Sequence, residues 1–318
     1  DLLRGWGKRG YNNEVTFAAQ HQLADRISVN GGYYRRTFGN QTITDDLRYD
    51  ASSYDYVCLT APRDPDLPDG GGYQVCGIPD LKQSVFALGQ PANSLIRFSK
   101  DFGGETNLYQ GFDVNLESRF RNGAFLRGGI AATSRTFDQC NLLAAGADAV
   151  AAGSSEIYPD GSKGCHREYG YRPDAKFSGS YTLPWDIQLG GTYQFTRGVQ
   201  TGGAGPSITA SWTVTNAVAL QQLGRNWQSN AASRTVQLIS EGKDYGKHNL
   251  NQLDIKLAKR FTVDKVRLRV DFDLYNVFNS SWPYTVTTTY STAATSQYLR
   301  PTNVLQNRFF KLGGHISF

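Results

Sequence analysis

Asp64, Asp66 and Asp69 alternate with prolines and run into Gly70, Gly71 and Gly72. Spaced carboxylates in a glycine-containing loop are the donors a hard cation such as Ca²⁺ takes. The order of an EF-hand loop is missing and Pro65 and Pro68 stiffen the run, so a solvated turn fits as well. Cys58 and Cys76 flank this segment; Cys140 and Cys165 form a second close pair. Neither pair has zinc-type spacing, and His166 beside Cys165 is isolated. Four cysteines allow three connectivities, and nearest-neighbour pairing closes the shortest loops. Two loop disulfides imply an oxidising compartment; free thiols are the alternative. His21, His166, His248 and His315 are scattered. No Ser/His/Asp set or His-Glu-x-x-His motif occurs, so an enzyme would have no carrier residues. Gly70 to Gly72 and Gly202-Gly203 open no helix and cradle no phosphate. Glu156, Tyr158 and Asp160 in the second cysteine segment could touch a ligand, but a solvated loop face is the expectation there.

The elements that position these residues read as strands. Phe310, Leu312, Gly314, Ile316 and Phe318 fall on one face of the last segment, and Lys311, Gly313, His315 and Ser317 on the other. This period of two marks a strand with one apolar and one polar face. The same alternation carries Val15 to Leu23, Ile27 to Tyr33, Phe112 to Phe120, Leu126 to Ala132, Phe177 to Leu183, Ile187 to Phe195, Leu253 to Leu257 and Val266 to Leu274. Residues 207–240 are ambiguous: two further long strands or a hairpin within a loop, with a short helix over Ala217 to Gly224.

Composition narrows the class. The 318 residues are 39% hydrophobic and 13% aromatic, with a formal charge of +5 and a mean hydropathy of −0.46. No apolar run is long enough for a transmembrane helix. The Lys and Arg do not cluster, which argues against nucleic acid as a partner. The chain has no Met and opens at Asp1 without a secretory leader pattern, so it reads as a processed or truncated product.

Connection lengths add the decisive contrast. Tight turns are expected at Ala24-Asp25-Arg26, Arg121-Asn122-Gly123, Pro184-Trp185 and Thr262 to Lys265. Inserts of tens of residues join the strands at their other ends. Short turns on one side and long loops on the other suit an antiparallel transmembrane β-barrel, whose strands need roughly 9–11 residues. The count is nine strands, or eleven if residues 207–240 span. Both are odd, whereas a complete single-chain barrel has an even count. The expectation is therefore the C-terminal portion of a larger barrel, with an open wall finished by strands outside this chain.

Several motifs carry a resemblance. Asn251-Gln252-Leu253-Asp254, the run Asp271-Phe272-Asp273-Leu274-Tyr275-Asn276-Val277-Phe278-Asn279 and the close from Arg300-Pro301-Thr302 to Phe318 resemble the last strands of TonB-dependent transporters. Gly5-Trp6-Gly7 to Gln22-Leu23, the Cys58 to Cys76 loop and Leu223-Gly224-Arg225-Asn226 look like the branch with a carboxypeptidase-regulatory-like domain (Oar-like receptors). The resemblance implies a C-terminal part, about 9–11 strands, of a barrel of about 22. It implies bacterial outer-membrane lipid around the wall, uptake of a scarce bulky nutrient, and coupling to the TonB complex through a plug and TonB box upstream. Phe318, with Ile316 and Phe310, would then be the assembly signal. Asp254, Lys256, Arg260, Arg267, Arg269, Asp271, Asp273 and Tyr275 would face the lumen and its plug; the plainer reading is cross-strand pairing within the wall. A surface structural or adhesive barrel, or a passive porin, are the alternatives in function.

Overall fold

The computed structural model describes residues 4–120, 122–144, 155–198, 208–241, 249–288, 290–293 and 296–318. Gly202, Gly203, His248 and Arg121 lie outside the described residues. The chain is mostly antiparallel β-structure, and no described helix is long and apolar enough to cross a membrane.

Among the described residues one sheet dominates. Its strands are β1 (Tyr11–Ala24), β2 (Ile27–Gly39), β3 (Thr106–Arg119), β4 (Phe125–Asp138), β5 (His166–Leu183), β6 (Ile187–Thr196), β7 (Leu250–Val263), β8 (Val266–Tyr275) and β9 (Phe309–Ser317). They lie side by side in chain order, each antiparallel to the next. The last strand starts at Phe309, and just before it the Gln306 carbonyl accepts the Asn276 side chain. Among the described residues β1 and β9 each have a single strand neighbour, so the sheet is open.

Four short connections join strands at one end. Each places at least one residue in the left-handed backbone region: Arg26 (φ 66°), Gly123 (φ 82°), Trp185 and Asp186 (φ 63° and 57°) and Asp264 (φ 53°). At Asn122 the side chain accepts the Ala124 N–H at 3.2 Å, closing the expected Asn-Gly turn.

The opposite end carries the described residues of the long connections, 40–105, 139–144, 155–165, 197–198, 208–241, 249, 276–288, 290–293 and 296–308. These build small paired strands: Thr42–Asp46 with Ser94–Phe98, Tyr54–Thr60 with Gln74–Leu81, Ser211–Thr215 with Ser233–Gln237, and Pro283–Val286 with Pro301–Val304. Residues 207–240 therefore contribute a hairpin around a helix, Asn216–Leu223, and stay outside the main sheet. Gly224 (φ 71°) stops that helix in the left-handed conformation glycine favours.

The buried apolar cluster lies entirely in these connections. Leu59, Val75 and Ile78 from the first, Tyr158 from the second, Ile208, Val214, Trp227 and Val236 from the third, and Tyr290 and Tyr298 from the fourth pack together. The long connections thus fold into one cap with its own core.

The sheet itself is the reverse of a soluble core. Cross-strand register puts Phe17 opposite Tyr33, Tyr33 opposite Phe112, Phe112 opposite Ala132, and Ile130 opposite both Val114 and Ala175. It continues through Leu189 opposite Leu257, Leu257 opposite Phe272 and Phe272 opposite Leu312. One apolar face therefore runs across all nine strands, about 40 Å at about 4.8 Å per strand. Phe17, Phe112, Ile130, Leu189, Leu257, Phe272 and Leu312 all stand exposed on it.

Candidate functional site

The opposite face is polar, and its densest charge lies on β7 and β8. Lys256 sits opposite Asp273, and its Nζ lies 3.2 Å from both Asp271 and Asp273. Arg269 reaches Asp271 at 2.9 Å. Arg260 faces Arg269 directly across the pair, a like-charge register that turns Arg269 along its own strand toward Asp271. Arg267 lies opposite Thr262 and Ser317 near the short-turn end. Tyr275 stacks on Phe309 with ring centroids 4.7 Å apart. The sequence placed these residues on one face, and the register puts them there.

Asp254 does something different. Its carboxylate accepts the Asn276 backbone N–H at 2.8 Å and the Gln252 amide at 3.1 Å. Asn276 is buried (2% exposed) with φ 50°. Its Nδ2 donates to the carbonyls of Ser280 and Gln306, both at 2.9 Å, and its Oδ1 accepts the Ser280 N–H at 2.9 Å. Asn279 (φ 52°) accepts the Arg308 N–H at 2.9 Å. The Leu-Tyr-Asn-Val-Phe-Asn run is thus a knot tying the start of the fourth connection to its end. The sequence names Asn276 only as part of that run and gives it no role; the signal for its role is an asparagine just past a strand, where a left-handed residue is needed.

A broad polar depression of about 780 Å³ crosses the middle of this face. Asn115, Arg127, Lys176, Gln194, Gln252 and Asp254 are among its lining. Amides and charges of both signs suit a polar partner surface or a hydroxyl-rich ligand. They do not assemble a nucleophile, base and orienting group.

The cap holds the remaining candidates. Cys58 is bonded to Cys76 and Cys140 to Cys165, the local pairing. Among the described residues no cysteine is free. The Asp64 carboxylate accepts the Asp66 N–H at 2.9 Å and so caps its own turn. Its charge and hydrogen bond act on Tyr290, whose hydroxyl is pushed up to about 12, first by burial and then by Asp64. Among the described residues no group of three or more His, Cys, Asp or Glu, Asp64, Asp66 and Asp69 included, is placed together as a metal-ligand set.

Glu156 and Tyr158 correct the expectation of a solvated loop face. They are 2% and 6% exposed, carried inward by the bridge of Ile157 to Cys76. Burial raises the Glu156 carboxyl above its ordinary range, and Oε2 has no hydrogen-bond partner among the described residues. Asp160 stays at the surface, accepting from Ser162. His166 Nδ1 pairs with Asp138 at 2.7 Å beside the second disulfide.

Compared with protein-family models and with curated proteins, the chain matches none.

Proposed function

We propose that the nine-stranded sheet is a stretch of the wall of a bacterial outer-membrane β-barrel. We propose further that the chain serves a TonB-dependent receptor that takes up a bulky nutrient captured by its external cap. The observation carrying the wall reading is the apolar face that runs across all nine strands. Soluble monomers rarely expose an apolar patch beyond a few hundred Å², and a face about 40 Å wide on strands at least about 30 Å long is on the order of 1,000 Å². Strands of nine to eighteen residues are long enough for the hydrocarbon. The cap gathers the long irregular connections at one end, where they can lie outside lipid.

The free edges of β1 and β9 support a larger wall. Unpaired backbone groups in hydrocarbon cost several kcal/mol each, so both edges require further strands, supplied from outside residues 1–318. The receptor reading is supported by the motifs resembling TonB-dependent transporters and by the polar inner face on which a plug can dock. The cap's own disulfide-pinned core also fits a surface display or adhesive barrel, in which the loops are the working part.

Spin labels placed singly along β6 and β7 test the wall. Labels at 189 and 257 are expected to relax with oxygen, which partitions into lipid; labels at 192 and 256 with a water-soluble nickel chelate. Uniform aqueous accessibility on both faces would overturn the membrane reading. Uptake that ceases when the proton gradient is collapsed supports the receptor; a gradient-independent flux indicates a porin, and no flux a display barrel. Deleting Phe318, which is 99% exposed at the end of β9, is expected to lower outer-membrane levels while leaving any cap ligand bound normally.

A further inference from the structure

The apolar face carries a groove of about 740 Å³ between β4 and β7. We infer that it is a phospholipid site, holding one acyl chain along its floor and the lipid phosphate at Lys259. The inference rests on the membrane-wall reading.

The floor is bare backbone. Gly179 on β5 and Gly191 on β6 are direct cross-strand partners, both on the apolar face. Leu126 lies opposite Gly179 on one side, and Ile255 opposite Gly191 on the other. The pair Tyr181 and Leu189 stands next toward the short-turn end. A missing pair of side chains, ringed by large ones, leaves a furrow deeper than the surrounding surface. It continues to Phe120 and Asn122 at the β3–β4 turn.

Depth selects the occupant. The six-residue step from Ile187 to Tyr193 covers about 20 Å of strand. With a tilt of about 45° this is about 14 Å, half of the roughly 30 Å hydrocarbon and so one leaflet. At that depth hydrocarbon is the material in contact with the wall, and a chain seated on glycine gains contacts that a chain on the raised surface lacks.

Charge supplies the second end. Lys259 interrupts the outward apolar series Leu253, Ile255, Leu257 and Phe261 on β7, directly opposite Ile187. Its Nζ lies 5.1 Å over the Phe261 ring, on the side toward the short turns. A lysine on an apolar face extends its ammonium to the head-group level, where the phosphate of a lipid in this leaflet lies.

The test is native mass spectrometry of the detergent-extracted full protein with added palmitoyl-oleoyl phosphatidylglycerol. Gly191→Leu fills the groove; a Cβ there would meet only the Asp254 carbonyl at 3.5 Å, so the wall accepts it. Gly314→Leu is the control, on the same face outside the groove with nothing within 4 Å of its Cβ. The wild type and Gly314→Leu are expected to keep one tight lipid adduct. Gly191→Leu should bind it at least ten-fold more weakly. Lys259→Gln should weaken phosphatidylglycerol several-fold, and diacylglycerol with the same chains not at all. Equal adducts in wild type and Gly191→Leu, or loss in Gly314→Leu as well, overturn the site while leaving the wall reading intact. A wild-type protein recovered only from the soluble fraction overturns the wall reading and the site with it.

Discussion

The Asp80 carboxylate, fully buried in the first connection, is hydrogen-bonded by Arg225 from the third. The two residues lie 145 positions apart, and Arg234 adds a second cation at 3.5 Å. A charge buried without such partners would not stay ionised. Asp80 therefore locks two separate loops of the cap to each other, with Gln228 reaching the adjacent Asp55 at 2.7 Å.

Replacing Asp80 with Ala leaves two arginines facing each other across the loop junction. Removing one partner of a buried pair costs about 3–5 kcal/mol, and the partial exposure of Arg225 (36%) places the expected loss at the lower end. The cap should become protease-sensitive within residues 208–241 while the sheet keeps its signature by circular dichroism. An unchanged digestion pattern would remove Asp80 as the lock.

The disulfides act on the same cap from within each loop. Closing loops of 18 and 25 residues restricts the unfolded chain by roughly 3 kcal/mol apiece in the chain-entropy account. Peptide mapping without reductant should recover Cys58 with Cys76 and Cys140 with Cys165. The double variant Cys58→Ser/Cys76→Ser should lower the melting temperature of the cap and leave the wall assembled.

The large antiparallel sheet was legible in the sequence and the cap was not, for one physical reason. A strand with one apolar and one polar face writes the two into alternate residues, so Phe310, Leu312 and Ile316 declare their face locally. The cap core is built from residues such as Leu59, Tyr158, Ile208 and Tyr290, each from a different connection. No period links them, and only the fold brings them together. Glu156 and Tyr158 looked like solvated loop residues for that reason. The hairpin at 207–240 shows strand-like alternation because its Trp212 and Val214 face the cap core, which resembles a wall strand over five residues. The polar ladder on β7 and β8 was readable because the period fixes the face, whereas the role of Asn276 depends on two carbonyls, one of them 30 residues away.

Glu156 gives the cap a pH dependence of a stated sign. Burial raises its carboxyl in the folded state above the ordinary value of 4.5, so the folded cap holds a proton that the unfolded chain has released. That contribution is fully present below 4.5 and is lost as pH rises through the folded value. Asp46, held low first by the Arg48 side chain, acts in the opposite direction. Comparing wild type with Glu156→Gln isolates the first effect. The variant should stabilise the cap at neutral pH and converge with wild type near pH 4. A constant difference across that range would place the group's ionisation elsewhere.

Leu257 and Lys256 are adjacent on β7 and point to opposite faces, which makes them the sharpest test of what each face meets. Leu257 packs between Leu189 and Phe272 on the apolar side. Lys256 lies between Gly190 and Asp273 on the polar side. An arginine on the lipid face of a barrel wall costs about 2–4 kcal/mol at the midplane and about 0–1 kcal/mol near the interface, and Leu257, two residues from Lys259, lies between those limits. Leu257→Arg should therefore lower the yield of folded, heat-modifiable protein in the membrane fraction and shift its denaturant midpoint downward. Lys256→Arg should leave both unchanged, because it keeps the charge that Asp271 and Asp273 face. In a soluble protein the expectation reverses: Leu257 is already 41% exposed, and an arginine there would be neutral or would improve solubility. The sign of the Leu257→Arg effect therefore decides between lipid and water.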